Sequence, residues 1–275
     1  MSAGAAAVQA KGAARIRRAF EAARAADRAA LIPYVVAGRP GIEACVDLVE
    51  ALAGAGADVV ELGVPFSDPL ADGAVIRDAT RLALDDGMTV AGVLQLARDV
   101  RARGVDVPLV CMGYVNPLLA YGLERFCADA AAAGVDGLII PDVPLEAGRE
   151  LREIAAAHGL GMTFLVNPMT EPARIAELAA SSTGFLYAVA STGTTGARSD
   201  VAGSTVELLE RLAAAGIDAP VAVGFGISTP EHVATLAPHA DGIIVGSALV
   251  ELVEQDVEAA VARVGELHRA SRRTR

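Results

Sequence analysis

Eight short, almost continuously apolar runs punctuate this chain: LIPYVV (31–36), DVVELG (58–63), VPLVCMG (107–113), DGLIIPD (136–142), GMTFLV (161–166), GFLYAV (184–189), PVAVGFG (220–226) and DGIIVG (241–246). A strand that reads this way is buried on both faces, as strands of a parallel sheet are. Between the runs lie Ala- and Leu-rich amphipathic stretches at 42–56, 89–104, 123–134, 146–159, 171–182 and 204–216. Several end in glycine, where a helix stops. The recurring AGAD, AGVD and HAD just before the runs mark turns from helix to strand, with an Asp at the strand mouth. Eight such units in 275 residues predict an α/β fold, a (β/α)8 TIM barrel. A doubly wound open sheet is the competing arrangement. None of the eight runs reads as an edge strand, which favours closure.

Residues 1–14 read as a flexible N-terminal tail, and 15–270 as a single catalytic domain. The segment 13–30 fits an extra helix before the first strand, and the C-terminal RASRRTR reads as a solvated, frayed helix end. The stretch 64–88 is longer than the usual βα loop of about 2–6 residues, and long loops inside compact domains tend to be functional.

The formal net charge is −11, which argues against general binding to nucleic acid or anionic membrane. It leaves room for a small anionic ligand in a local pocket. No apolar run approaches the ~18 residues of a membrane span, and the N-terminus lacks the apolar segment of a secretory signal. The three cysteines, Cys45, Cys111 and Cys127, fit neither a disulfide framework nor a zinc site. A cytoplasmic location is predicted, with no metal.

Barrels of this kind carry their sites at the C-terminal ends of the strands. That rule singles out Glu61, at the end of the second run. A carboxylate there is costly unless used or paired. It serves either a salt bridge at the rim or, if desolvated in the barrel mouth, general acid–base chemistry. The loop that follows, VPFSDPLADG (64–73), holds Asp68 and Asp72, each of which also suits a turn. After the seventh and eighth runs come Gly226 and Gly246-Ser247, the last opening a helix. Barrels often bind phosphate at these two loops, on helix N-terminal amides; Ser247 also fits a plain N-cap. The hydroxyl-rich loop at 191–198 suits either a lid or a surface loop. The four histidines fall at the wrong ends of their units. The only lysine is Lys11, so a Schiff-base aldolase is excluded.

The segment ELGVPFSDPLADG (61–73) strongly resembles the signature of the tryptophan synthase alpha subunit family. So do MGYVNPLLAYG (112–122), LIIPDVPLEA (138–147), GTTGAR (193–198), GFGIS (224–228) and VGSALV (245–250). The resemblance runs from about residue 15 to 265. It implies retro-aldol cleavage of indole-3-glycerol phosphate to indole and glyceraldehyde 3-phosphate, in tryptophan biosynthesis. It makes Glu61 the acid–base group and Asp72 the carboxylate that holds the indole N–H. Tyr187 matches an active-site position, and Gly196, Gly226, Gly246 and Ser247 match phosphate-binding positions. Thr195 matches a lid threonine. The chain itself would need no cofactor; pyridoxal phosphate is expected in a beta-subunit partner within an alpha2beta2 complex. The contact loops would be Pro65, Phe66 and Asp68, then Asn116 and Pro117, then Pro144. Pro65 and Phe66 are expected to be exposed at a loop end. Ala74 and Arg77 stand where the family has Pro and Gln, and the lid is shorter. The alternatives are a stand-alone lyase releasing free indole, and a catalytically weak barrel acting as an activating subunit.

Overall fold

Each of the eight apolar runs contains a strand. The structure, a computed structural model, describes residues 11–190, 201–224 and 226–273. The strands are β1 (Ala30–Val36), β2 (Val60–Gly63), β3 (Leu109–Met112), β4 (Gly137–Ile139), β5 (Gly161–Val166), β6 (Leu186–Val189), β7 (Val221–Gly224) and β8 (Gly242–Val245). They pair in parallel in chain order and close into a barrel. β8 returns to β1 with Gly242 opposite Ala30, leaving no unpaired edge and deciding against the open sheet.

Helices α1 (Lys11–Ala25), α2 (Ile42–Gly54), α3 (Ala74–Asp85), α4 (Val90–Ala102), α5 (Val115–Tyr121) and α6 (Leu123–Ala133) accompany the first half. The second half adds α7 (Arg149–Ala157), α8 (Pro172–Ser181), α9 (Val201–Ala214), α10 (Pro230–Leu236), α11 (Ser247–Gln255) and α12 (Val257–Ala270).

Three sequence expectations are corrected. The first helix does not reach residue 30: it stops at Ala25, and Asp27 turns the chain with φ 53° so that Ala30 can enter β1. The stretch 64–88 is not all loop, because α3 occupies 74–85. Its Ala79, Thr80 and Ala83 are buried against the barrel, while an Arg- and Asp-rich outer face hides the pattern in the sequence. The C-terminal end is docked up to residue 273. Ser271 is fully buried, the Arg273 amide donates to Asp27 O at 2.9 Å, and its guanidinium reaches the Ala237 and Ala240 carbonyls.

Side chains that alternate inward from the strands fill the barrel: Ala30, Ile32, Val59, Val110, Ile139, Phe185, Tyr187, Ala222 and Ile244. From α1, Ile16 and Phe20 join this cluster and plug the N-terminal end. Glycines clear the space for them. A Cβ on Gly137 would come within 2.8 Å of Ile16 Cδ1, and one on Gly242 within 2.7 Å of Phe20 Cε1. The strand-mouth aspartates work at this same end. Asp58, Asp136 and Asp241 accept the amides of Leu31, Leu109 and Val221 at 2.8, 2.9 and 3.0 Å. They also pair with Arg28, Arg101 and Arg24 respectively. With the floor plugged and pinned, access to the interior is left to the C-terminal end.

Candidate active site

Alternation along β2 decides where Glu61 points. Val59 faces the interior, so Glu61, two residues on, does as well. It is only 2% exposed, and its Oε2 has no hydrogen-bond partner among the described residues. Burial, and secondarily the charge of Asp72, pushes its pKa from 4.5 up to about 8. A rim salt bridge is therefore not its role. Tyr34 of β1 lies opposite Glu61 in the strand register. Its ring passes over Gly63, where any Cβ would overlap the Tyr34 hydroxyl. Gly224 on β7 makes the same allowance for the Tyr187 hydroxyl. Two glycines at strand ends thus let two tyrosines lie across the barrel mouth beside Glu61.

The loop 64–73 folds back over this mouth. The Val64 amide donates to Met112 O at 2.7 Å, and the Ala71 amide donates to the Tyr114 hydroxyl at 3.0 Å. The Phe66 and Tyr114 rings pack with centroids 5.5 Å apart. Asp72 ends half-buried next to this cluster. Burial pushes its pKa from 3.8 up to about 6, while the Tyr114 hydroxyl and the Arg77 charge oppose the rise. Asp68 goes the other way: it is exposed and accepts a hydrogen bond from the Ser67 hydroxyl. Of the two loop carboxylates, one is directed to the site and the other to the surface.

At the remaining side of the mouth, β8 leads into Gly246 and then α11. Gly246 is the N-cap, so Ser247 is the first helical residue and exposed, and no side chain caps this helix. The Gly246 carbonyl accepts the Leu249 and Val250 amides. The amides before them are the unpaired donors of a helix start. A Cβ on Gly246 would face Ile76 Cδ1 at 3.8 Å and Tyr34 Cβ at 3.9 Å, which ties this loop to the carboxylate cluster through one tyrosine. Gly226 follows β7 with φ 76°, the left-handed conformation that favours glycine. Thr195 and Gly196 lie outside the described residues.

The expected contact residues divide. Asp68, Asn116 and Pro144 are exposed and Pro117 is half-buried, but Pro65 is buried and Phe66 half-buried against Tyr114. The expectation that Pro65 and Phe66 are exposed is overturned: both pack inward to hold the loop. The large apolar residues exposed at this end, among the described residues, are instead Leu70 (93%), Met169 (79%), Leu119 (54%) and Ile42 (46%). Sequence reasoning also missed Tyr34 and Tyr114. Tyr34 was within reach, since it shares strand parity with the inward Ala30 and Ile32. Tyr114 had no such signal, because its partners depend on how the loop folds back. Among the described residues no cluster of three or more His, Cys, Asp or Glu could hold a metal ion, and no helix is long and apolar enough to cross a membrane.

Residues 20–274 match the family model of the tryptophan synthase alpha chain. A tryptophan synthase alpha chain from Chloroflexus aggregans is 50% identical over 264 residues, covering 94% of this chain and 98% of that protein. One from Methanosarcina mazei is 49% identical over 245 residues, covering 89% and 88%. Among solved structures, Mycobacterium tuberculosis tryptophan synthase superposes with a TM-score of 0.87 at 40% identity, covering 94% of this chain and 99% of that one.

Proposed function

The chain belongs to the tryptophan synthase alpha chain family, and from that premise we propose how its residues divide the work. The reaction is a carbon–carbon lyase step: indole-3-glycerol phosphate is cleaved to indole and glyceraldehyde 3-phosphate. Indole C3 leaves poorly until it is protonated. Glu61, protonated at rest, donates that proton. The positive charge this puts on the ring nitrogen is met by the Asp72 carboxylate, which accepts the N–H hydrogen bond. Glu61, now ionised, takes the proton of the glycerol hydroxyl next to the scissile bond as the bond breaks. The two transfers cancel, so Glu61 ends protonated again. Gly226, Gly246 and Ser247 bind the phosphate at the start of α11, and Tyr187 lines the indole side. Gly196 and Thr195 are assigned to the same substrate by the resemblance alone.

The observation that carries this reading is the pair of unequal carboxyls: a buried one with a pKa of about 8 beside a half-buried one at about 6. Between those values one holds a proton while the other holds a charge, as acid and electrostatic partner require. Glu61→Gln and Asp72→Asn, assayed for indole release, are expected to fold and to lose ~10²–10⁴-fold in kcat/KM. Retention of more than about a tenth of wild-type kcat/KM by Glu61→Gln, a loss under about 1.4 kcal/mol, would take it out of the acid–base role.

The remaining assignments are these. The chain acts as one catalytic domain in the cytoplasm, without a cofactor of its own. Its partner is a tryptophan synthase beta chain carrying pyridoxal phosphate, in a heterotetramer of two alpha and two beta chains. What supports a partner is the exposed apolar set Ile42, Leu70, Leu119 and Met169, on loops and helices that follow strand C-termini, the same end that exposes Asp68, Asn116 and Pro144.

A further inference from the structure

We propose that Arg77 is a positioning residue for the cleavage reaction: from the first turn of α3 it holds the backbone of Asp72 and places a positive charge beside its carboxylate. This rests on Asp72 acting as assigned above. Arg77 is the fourth residue of α3, and its own amide closes the first helical hydrogen bond to Gly73 O at 3.0 Å. Its side chain turns back over the helix start, where Nη1 donates to the Asp72 carbonyl at 3.1 Å. The start of α3 and the end of the active-site loop are thereby joined twice, through Gly73 and through Asp72.

Helix stability does not explain a cation here. The N-terminal turn is the positive end of the helix dipole, where an acidic or hydroxyl side chain is favoured. This turn has no acidic residue and no side-chain cap. Arg77 is exposed, and no carboxylate forms a salt bridge with it among the described residues. A cation at the wrong end of a helix, without an ion pair, is a local conflict of the kind found at functional sites.

The charges around Asp72 show what Arg77 can offset. Facing Asp72 are Glu61 from β2, Tyr34 from β1, Tyr187 from β6 and Tyr114 after β3. Each is acidic or neutral. Burial favours the neutral carboxylic acid at Asp72, and among the described residues only Arg77 brings positive charge against it; the Tyr114 hydroxyl helps by hydrogen bonding. A neutral Asp72 could not stabilise charge on the indole nitrogen. Arg77 thus acts through Asp72 and need not touch the substrate.

The test is kcat/KM for indole-3-glycerol phosphate against pH, using the full chain and the variants Arg77→Met, Arg77→Lys and Arg77→Gln. Asp72→Asn is measured with and without Arg77→Met. Arg77→Met keeps the stem and loses both donor and charge. It is expected to lower kcat/KM by roughly five- to thirtyfold, as coupled neighbours do, and to move the acidic limb upward by about half a pH unit or more. Arg77→Lys restores the limb, whereas Arg77→Gln recovers rate on the alkaline side without restoring it. In the Asp72→Asn background Arg77→Met adds no further loss. The inference is overturned if Arg77→Met leaves rate and limb unchanged. It is equally overturned if the rate falls with the limb unmoved, or if the losses from Arg77→Met and Asp72→Asn simply add. Failure of the underlying reading looks different, because Asp72→Asn itself would then stay active.

Discussion

Glu61 and Asp72 set opposing demands on one small volume. Burial that raises the Glu61 pKa to about 8 gives the reaction an acid at neutral pH, and it also destabilises the fold. The ordinary value is 4.5, so an unfolded chain releases this proton well before the folded one does. Below about pH 4.5 both states hold the proton and nothing is lost. As pH rises toward 8 the unfolded state gains progressively, and above 8 the cost is constant. Glu61→Gln is therefore expected to become more stable than wild type as pH rises, by on the order of a few kcal/mol at the alkaline end. Unfolding in urea at about pH 5, 7 and 9 measures this; a stability difference that does not grow across that range contradicts the buried-acid account. The same two groups predict a bell-shaped kcat/KM profile with limbs near 6 and 8, from Asp72 losing its proton and Glu61 losing its own. A flat profile across that interval would show that neither ionisation matters. Glu61 was legible in the sequence because a carboxylate ending an apolar strand is anomalous. Asp72 was legible only through its motif, since Asp-Gly alone describes any turn. Tyr114 was not legible, because its contacts with Ala71 and Phe66 exist only once the loop is folded.

The elements were read with uneven success for a physical reason. Strands buried on both faces leave a continuous apolar signal, and all eight were located. Helix α3 reads as loop in the sequence because only one narrow face is apolar, and α5, at seven residues, is too short to show a helical period. The start of α11 was seen correctly as a helix opening, and the structure adds that Gly246 rather than Ser247 caps it. That arrangement makes a specific demand at the cap. A side chain at 246 would project toward Ile76 and Tyr34, into the space between the phosphate loop and the carboxylates. The first atom of such a side chain would stand in ordinary van der Waals contact with both. Gly246→Val should fold, yet weaken binding of a glycerol phosphate ligand by roughly tenfold or more, about 1.4 kcal/mol. Indole binding should change much less. Calorimetric titration with each ligand checks this, and equal losses for both would point away from a phosphate site at α11.

At the scale of the whole molecule the two ends of the barrel are built for different purposes. The N-terminal end is plugged by Ile16 and Phe20 and pinned by Asp58, Asp136 and Asp241 to their arginines. The C-terminal end carries Glu61 on β2 and Asp72 on a ten-residue loop at 64–73 whose inner side packs on Tyr114 and whose Leu70 stands almost wholly in solvent. Alternating strands and helices made the barrel legible; which apolar side chains remain outside is a tertiary outcome, so Leu70, Leu119 and Met169 were not foreseen and Pro65 and Phe66 were misplaced. A partner that covers Leu70 grips the same loop that presents Asp72. Binding can then shift the population of loop conformations toward the productive one. A gain of roughly 10- to 100-fold needs only about 1.4–2.7 kcal/mol of differential affinity between the loop states. The isolated chain is accordingly expected to cleave indole-3-glycerol phosphate slowly and to be activated by a cognate beta chain over that range, and further once the beta chain has formed its serine-derived intermediate. Leu70→Glu, which places a charge in the covered patch, is expected to weaken the complex and to abolish most of the activation. Sedimentation at micromolar concentration and indole release with and without the beta chain measure both effects. Full activity of the chain alone, with no complex formed, would mean that this face serves no partner and that the enzyme is a free-standing indole-releasing lyase.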